Sequence, residues 1–184
     1  MLRYKITSEV IEEPVSLYLA KNHLRVTTDE DDNYISSLIS SAREYAEGYH
    51  DVSYGTREVL AVADSLMPVF ELPVTPAKNV TSVVWKDTDG ASHDVTDKYV
   101  FDEYSSRLIL DGEINYGDST PVAVNPVEIT FTAGMTPRKR TIQAMLIMIG
   151  EWYENREASV IGVGVYQLPL SAKQLLEMDR HSDL

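Results

Sequence analysis

Val127-Glu128-Ile129-Thr130-Phe131 alternates apolar and polar residues, and after Ala133-Gly134 the period changes. Ile142, Met145, Leu146, Ile149, Trp152 and Tyr153 recur at helical spacing on one face. The first stretch predicts a half-buried strand and the second a helix running to about Asn155. Pro137 fits the first helical position, with Thr136 as its cap. Ala144, Ile147 and Met148 make this helix apolar on further sides, so it is expected to be central.

Upstream, Glu58–Ala63, Val80–Trp85, Tyr99–Phe101 and Arg107–Leu110 are further short β-rich runs. Pro73 and Pro76, Asp87-Thr88-Asp89-Gly90, Asp111-Gly112 and Asn125-Pro126 separate them as turns. Asp89-Gly90 followed by Ala91–Val95 reads as a hairpin tip. About five antiparallel strands predict a small sheet or sandwich, not a parallel core.

Further upstream the period is helical again. Pro14 and Ser16 signal a start, with Leu17, Ala20 and Leu24 at helical spacing. Asp29-Glu30-Asp31-Asp32 opens a second helix, where carboxylates favour the positive end of the macrodipole. Ile35, Leu38, Ile39, Ala42, Tyr45, Ala46 and Tyr49 form its apolar stripe, ended by Gly48 or the loop from His50. Downstream of the central helix, residues 158–170 with Gly162, Gly164 and Pro169 read as a loop. Ser171–Met178 reads as a short helix and Asp179–Leu184 as a frayed end.

The expected class is therefore α+β: an N-terminal helix pair and C-terminal helices forming a helical core, with a small antiparallel β insertion between them. The 184 residues fit a single domain. Within it, 14–55 is the helical pair, 56–134 the β insertion, and 135–184 the core helix, loop and C-terminal helix.

Composition narrows the function. There is no cysteine, so a disulfide scaffold, a thiolate zinc site and a cysteine nucleophile are excluded. No apolar run reaches the roughly 18–20 residues of a spanning helix, and the start lacks the apolar core of a secretory signal. The formal charge of −13 argues against non-specific nucleic-acid binding, which needs Lys and Arg against phosphates. A soluble, acidic, intracellular globular protein is expected. Residues 87–118 carry 9 acids and 2 bases, over half of the net negative charge.

Motifs for chemistry are sparse. His23, His50, His93 and His181 are scattered without a metal-ligand spacing; His23 and His50 are expected at helix ends. Asp87-Thr88-Asp89-Gly90 has Lys98 where a calcium loop needs a bidentate Glu. Gly162-Val163-Gly164 follows a helix rather than a strand and lacks the rest of a dinucleotide fingerprint. No phosphate-binding loop or nucleophile elbow occurs. Neither a metal nor a cofactor is expected.

Glu151, Glu154 and Glu157 with Arg156 could serve acid–base work, or form a solvated or intersubunit face. Arg138-Lys139-Arg140 opens a helix where cations oppose the dipole, which suggests an acidic partner surface or nucleic acid, or simply solvation. One candidate receiver is the acidic 87–118 region of a neighbouring subunit. Eleven tyrosines against three phenylalanines favour half-wet positions, and Tyr4, Tyr18, Tyr34, Tyr104 and Tyr116 suit contact surfaces.

An ordered series of segments carries a resemblance. It comprises Glu13-Pro14-Val15-Ser16-Leu17, Ala20–Val26, the acids leading into Ile35–Tyr45, and Leu72-Pro73 with Pro76. Val80–Val83, Phe131–Gly134 and Gly150–Ala158 complete it. Over about residues 12–178 the chain resembles the tailed-phage head–tail connector, or head-completion and adaptor, proteins. The resemblance implies a non-enzymatic virion protein forming a ring of about a dozen copies. Such a ring docks under the portal protein, extends the DNA channel and joins the capsid vertex to a neck or tail-completion protein. It implies location in the virion neck, and in host cytoplasm during assembly, with DNA passing unbound and no membrane contact.

In that setting Arg138, Lys139, Arg140, Glu151, Glu154, Arg156, Gly162, Gly164 and Tyr166 are candidate subunit or partner contacts. Asp29, Glu30, Asp31, Asp32, Asp87 and Asp89 are candidate channel or intersubunit acids, because a lumen that DNA traverses should not grip phosphates. The Gly162/Gly164 loop and both termini are expected to order on docking. Family C-terminal segments often reach toward the portal, and Asp179–Leu184 is short for that. Two alternatives from other classes are a small acidic hydrolase using Glu151 and Glu154, and an acidic, DNA-mimicking protein-binding module.

Overall fold

The computed structural model describes residues 2–8, 10, 12–113, 119–155 and 169–180. It is α+β and divides into two compact units. One comprises Met1–Ile11 and Gly55–Met135, the other Glu12–Tyr54 and Thr136–Leu184.

The first unit holds the strands β1 (Arg3–Ile6), β2 (Arg57–Ala63), β3 (Val69–Glu71), β4 (Ala77–Lys86), β5 (Ser92–Asp94), β6 (Tyr99–Asp102), β7 (Arg107–Leu110) and β8 (Val127–Ala133). They form a five-stranded sheet in the order β1-β2-β8-β4-β5 and a three-stranded sheet in the order β3-β7-β6, every pairing antiparallel. β8 is central to the larger sheet because both of its neighbours can share its alternation. Val127, Ile129, Phe131 and Ala133 are buried, and Val59, Ala61 and Ala63 of β2 lie on the same face. Phe70, Leu108 and Tyr99 of the smaller sheet join these residues, with Val83 and Trp85, in one apolar core.

The five strands read from sequence are all present, four of them longer than expected. β1, β3 and β5 are additions, although β5 completes the anticipated hairpin through Val84↔Asp94, Trp85↔His93 and Lys86↔Ser92. Because β1 pairs with β2, the β unit is built from two chain segments and is not only an insertion.

The second unit holds α1 (Leu17–Leu24), α2 (Asp32–His50), α3 (Lys139–Glu154) and α4 (Leu170–Arg180). Ser16 caps α1, its Oγ accepting from the Leu19 N–H at 3.2 Å. Ile35, Leu38, Ile39, Ala42 and Ala46 of α2 are buried, as are Ala144, Met145, Met148 and Ile149 of α3. Tyr45, expected in the apolar stripe, is 42% exposed. Arg43 is buried instead, satisfied by Glu13 and Glu47 at 2.9 Å each.

Of the two ends expected for α2, Gly48 lies inside the helix, which stops instead at His50, where Asp51 takes the left-handed conformation. Other helix ends differ from expectation. α3 begins at Lys139, not at Pro137, because Arg138 is still extended (φ −68°, ψ 159°) and takes the cap position assigned to Thr136. α4 is one residue longer at its start and two at its end. No described helix is long and apolar enough to cross a membrane.

Candidate interaction surfaces

The acidic segment 29–32 is a structural corner of the helical unit. α1 carries Lys21, whose Nζ lies 2.7 Å from Asp29 Oδ1 and 2.6 Å from Asp32 Oδ1. The Lys21 ammonium holds the Asp29 carboxyl below its ordinary range, while the hydrogen bonds it donates to Asp29 and Asp32 hold the lysine above its own. From α3, Tyr153 Oη donates to Asp31 Oδ2 at 2.5 Å. Tyr34 Oη donates to the Trp152 carbonyl at 3.2 Å, with the Tyr34 and Tyr153 rings 6.0 Å apart. Asp29, Asp31 and Asp32 are thus engaged within the chain, and Glu30 is exposed beside them. Tyr34 is half-buried here.

Asp87 also has an internal task. Its Oδ1 accepts from the N–H groups of Asp89 at 3.0 Å and Ala91 at 2.8 Å, and its Oδ2 lies 2.8 Å from His93 Nε2. His93 in turn stacks on Trp85 with centroids 4.2 Å apart. The His93 hydrogen bond, more than the backbone donors, holds the Asp87 carboxyl low. Asp87 locks the β4–β5 hairpin, whereas Asp89 at the tip is exposed.

The basic cluster at the start of α3 divides in function. Thr141 Oγ1 donates to buried Asp179 Oδ2 at 2.8 Å, and Arg140 Nε lies 3.3 Å from Asp179 Oδ1. Arg140 is therefore part of a clamp between α3 and α4, not only a partner contact. Arg138 and Lys139 are exposed. The clamp also brings the last turn of α4 to this end of α3. Met178, one residue before Asp179, is 60% exposed.

At the other end of α3, Asn155 Nδ2 donates to Glu151 Oε1 at 2.9 Å and to the Glu151 carbonyl at 3.0 Å. Glu154 is exposed. This is the chemistry of a helix terminus. Among the described residues, no group of three or more His, Asp or Glu side chains is arranged to hold a metal ion. His23 and His50 do stand at helix ends. Arg156, Gly162, Gly164, Tyr166, Tyr116, Glu157 and His181 lie outside the described residues.

One surface had no counterpart in the sequence reading. The register of the three-stranded sheet sets Val69 opposite Ile109 and Ile109 opposite Val100. These three residues make a row across its outer face, exposed by 42%, 41% and 54%. The next row on that face is charged, Glu71–Arg107–Asp102, with Arg107 Nη2 at 2.9 Å from Glu71 Oε1. A groove of about 520 Å³ lined by Leu2, Met67, Val69, Glu71, Leu72 and Pro73 continues the row past β3. A run as short as Val69-Phe70-Glu71 between Pro68 and Pro73 offers too little alternation to be read as a strand.

The fold recurs in solved particles. A chain in the neck of an empty gene transfer agent (GTA) particle, computed with C6 symmetry, matches with a TM-score of 0.71 and 21% identity. That match covers 97% of this chain and 95% of that one. A chain in the neck of a native GTA particle computed with C12 symmetry matches with a TM-score of 0.71 and 20% identity, over 97% and 94% of the two chains. At these identities the likeness is one of fold. No curated protein matches the chain. The family described as phage gp6-like head-tail connector protein matches residues 15–106, half of the chain. The chain belongs to that family of head-tail connectors, as a structural, non-enzymatic protein.

Proposed function

We propose that the chain forms a homo-oligomeric ring of about a dozen copies that docks under the portal, extends the DNA channel and receives the next neck or tail component. The observation that carries this reading is family membership over residues 15–106, together with a fold shared along nearly the whole chain with proteins of GTA necks. The C6 and C12 symmetry of those necks supports a cyclic assembly.

The acidity suits a conduit. Carboxylates at a lumen repel the DNA backbone, whereas cations would add salt-dependent drag. Asp31, Asp32 and Asp87 are engaged internally, so Asp29, Glu30 and Asp89 are the exposed members of the proposed channel or intersubunit set, Asp29 paired with Lys21. Exposed Arg138 and Lys139, with Glu154, are proposed partner contacts. Arg156, Gly162, Gly164 and Tyr166 are proposed contacts on sequence grounds alone. The protein waits in the host cytoplasm until the portal vertex is ready.

Deletion of the gene tests this. The expected result is heads and tails that accumulate unjoined, restored by the chain supplied in trans. Joined, infectious particles in the deletion strain would overturn it.

A further inference from the structure

We infer that the five-stranded sheets of neighbouring copies join edge to edge, β1 of one copy pairing in parallel with β5 of the next. This rests on the ring reading. It adds the contact that links one member to another.

β1 and β5 are the two ends of the sheet order β1-β2-β8-β4-β5. In an antiparallel pair the backbone groups of every second residue turn away from the partner, and at an edge they stay unpaired. The Thr7 N–H donates to the Glu58 carbonyl at 3.0 Å, continuing the β1–β2 register and turning the Arg3 and Lys5 backbone toward β2. Tyr4 and Ile6 therefore present their N–H and C=O groups outward. At the other edge the Val95 N–H donates to the Val83 carbonyl at 2.9 Å, and the Asp87 N–H to the Ala91 carbonyl at 3.0 Å. These bonds fix the β4–β5 phase, so the outward groups there belong to Ser92 and Asp94.

The β1 edge also lacks cover. Its four residues are all exposed, Tyr4 by 53% and Ile6 by 42%. Yet Tyr4 stands opposite Ala61 and Ile6 opposite Val59, both fully buried, on the core side of the sheet. The apolar face thus runs one strand beyond its cover, and an added strand continues it.

The two edges match in direction, phase and charge. Every step from β1 through β2, β8 and β4 to β5 is antiparallel, so β1 and β5 run the same way. Copies set side by side with their core sides aligned therefore meet as parallel strands. A parallel pair seats each outward residue between two outward residues of its partner. Tyr4 sits between Ser92 and Asp94, its N–H donating to the Ser92 carbonyl and its own carbonyl accepting from the Asp94 N–H. In that register Tyr4 lies beside His93 on the core side, and Lys5 beside Asp94 on the opposite side. Lys5 has no partner among the described residues, whereas Arg3 is already paired with Asp64. Asp94 is exposed and belongs to the 87–118 segment, with its 9 acids against 2 bases. Pairing of two β1 edges would instead set Lys5 against Lys5, and like charges directly opposite destabilise a sheet. A β1–β5 joint is heterologous, the type that propagates around a ring and closes when the rotation allows.

The cysteine-free sequence allows a direct test. The register sets Arg3 beside Ser92, so the full chain carrying Arg3→Cys and Ser92→Cys is assembled under reducing conditions, alone and with its portal. It is then oxidised and run without reductant. The expected result is a ladder of cross-linked multimers, more than tenfold above either single-cysteine variant. Tyr4→Pro removes an outward N–H that the chain's own sheet does not use, a placement an edge strand tolerates. Lys5→Glu reverses the exposed charge. Both variants should stay folded by circular dichroism and lose ring formation at least tenfold. Rings that form without the ladder, and that tolerate Tyr4→Pro and Lys5→Glu, overturn this inference alone. A wild-type chain that forms no ring, even with portal, overturns the ring reading and this inference with it.

Discussion

Gly134 packs directly on Gly55: a Cβ at Gly134 would lie 2.0 Å from the Gly55 carbonyl oxygen. Gly134 also has φ +123°, and its N–H donates to the Pro76 carbonyl at 2.9 Å, so the backbone is fixed there. Gly134→Ala is therefore expected to destabilise the β unit by at least about 2 kcal/mol, combining left-handed strain with overlap against backbone. Thermal unfolding should fall by roughly 4–8 °C. An unchanged melting temperature would contradict the close approach.

The α3–α4 clamp should be felt in stability. Thr141→Val keeps the shape but removes the donor to buried Asp179 Oδ2. The expected cost is about 2–3 kcal/mol, read from denaturant unfolding. Arg140→Ala should cost less, because its side chain is 46% exposed.

The acidic corner predicts a contrast on one helix. Tyr153→Phe loses the donor to Asp31 and should cost about 1–2 kcal/mol. Glu154→Ala, one residue on and exposed, should stay within about 0.5 kcal/mol. Equal effects would contradict the placement of Tyr153.

The β4–β5 hairpin should loosen in acid. Asp87 has a depressed pKa in the fold, so its stabilising contribution is complete above the ordinary carboxylate value near pH 4. It is lost as the pH falls below that value through the depressed one. Hydrogen exchange of the Asp89 and Ala91 amides should accelerate over that window beyond the intrinsic pH effect. Asp87→Asn should abolish the extra acceleration.

What sequence made legible follows the length of each periodic run. α2 and α3 span 19 and 16 residues, long enough for an apolar stripe to exceed chance, and both were identifiable. β1, β3 and β5 have 4, 3 and 3 residues, too few to define a period. The α3 start was misplaced because Pro137 fits the first helical position, yet the chain stays extended through Arg138. The partners of the acids were illegible for another reason. Tyr153 and Asp31 are 122 residues apart, and no local rule pairs them. The Val69–Ile109–Val100 row likewise exists only through strand register.

A cryo-EM reconstruction of the particle neck tests the central claim most directly. The account predicts a closed ring of about a dozen copies of this chain, seated between portal and tail around the DNA path. Density for the neck fully explained by other proteins, with this chain absent from the axis, would contradict it.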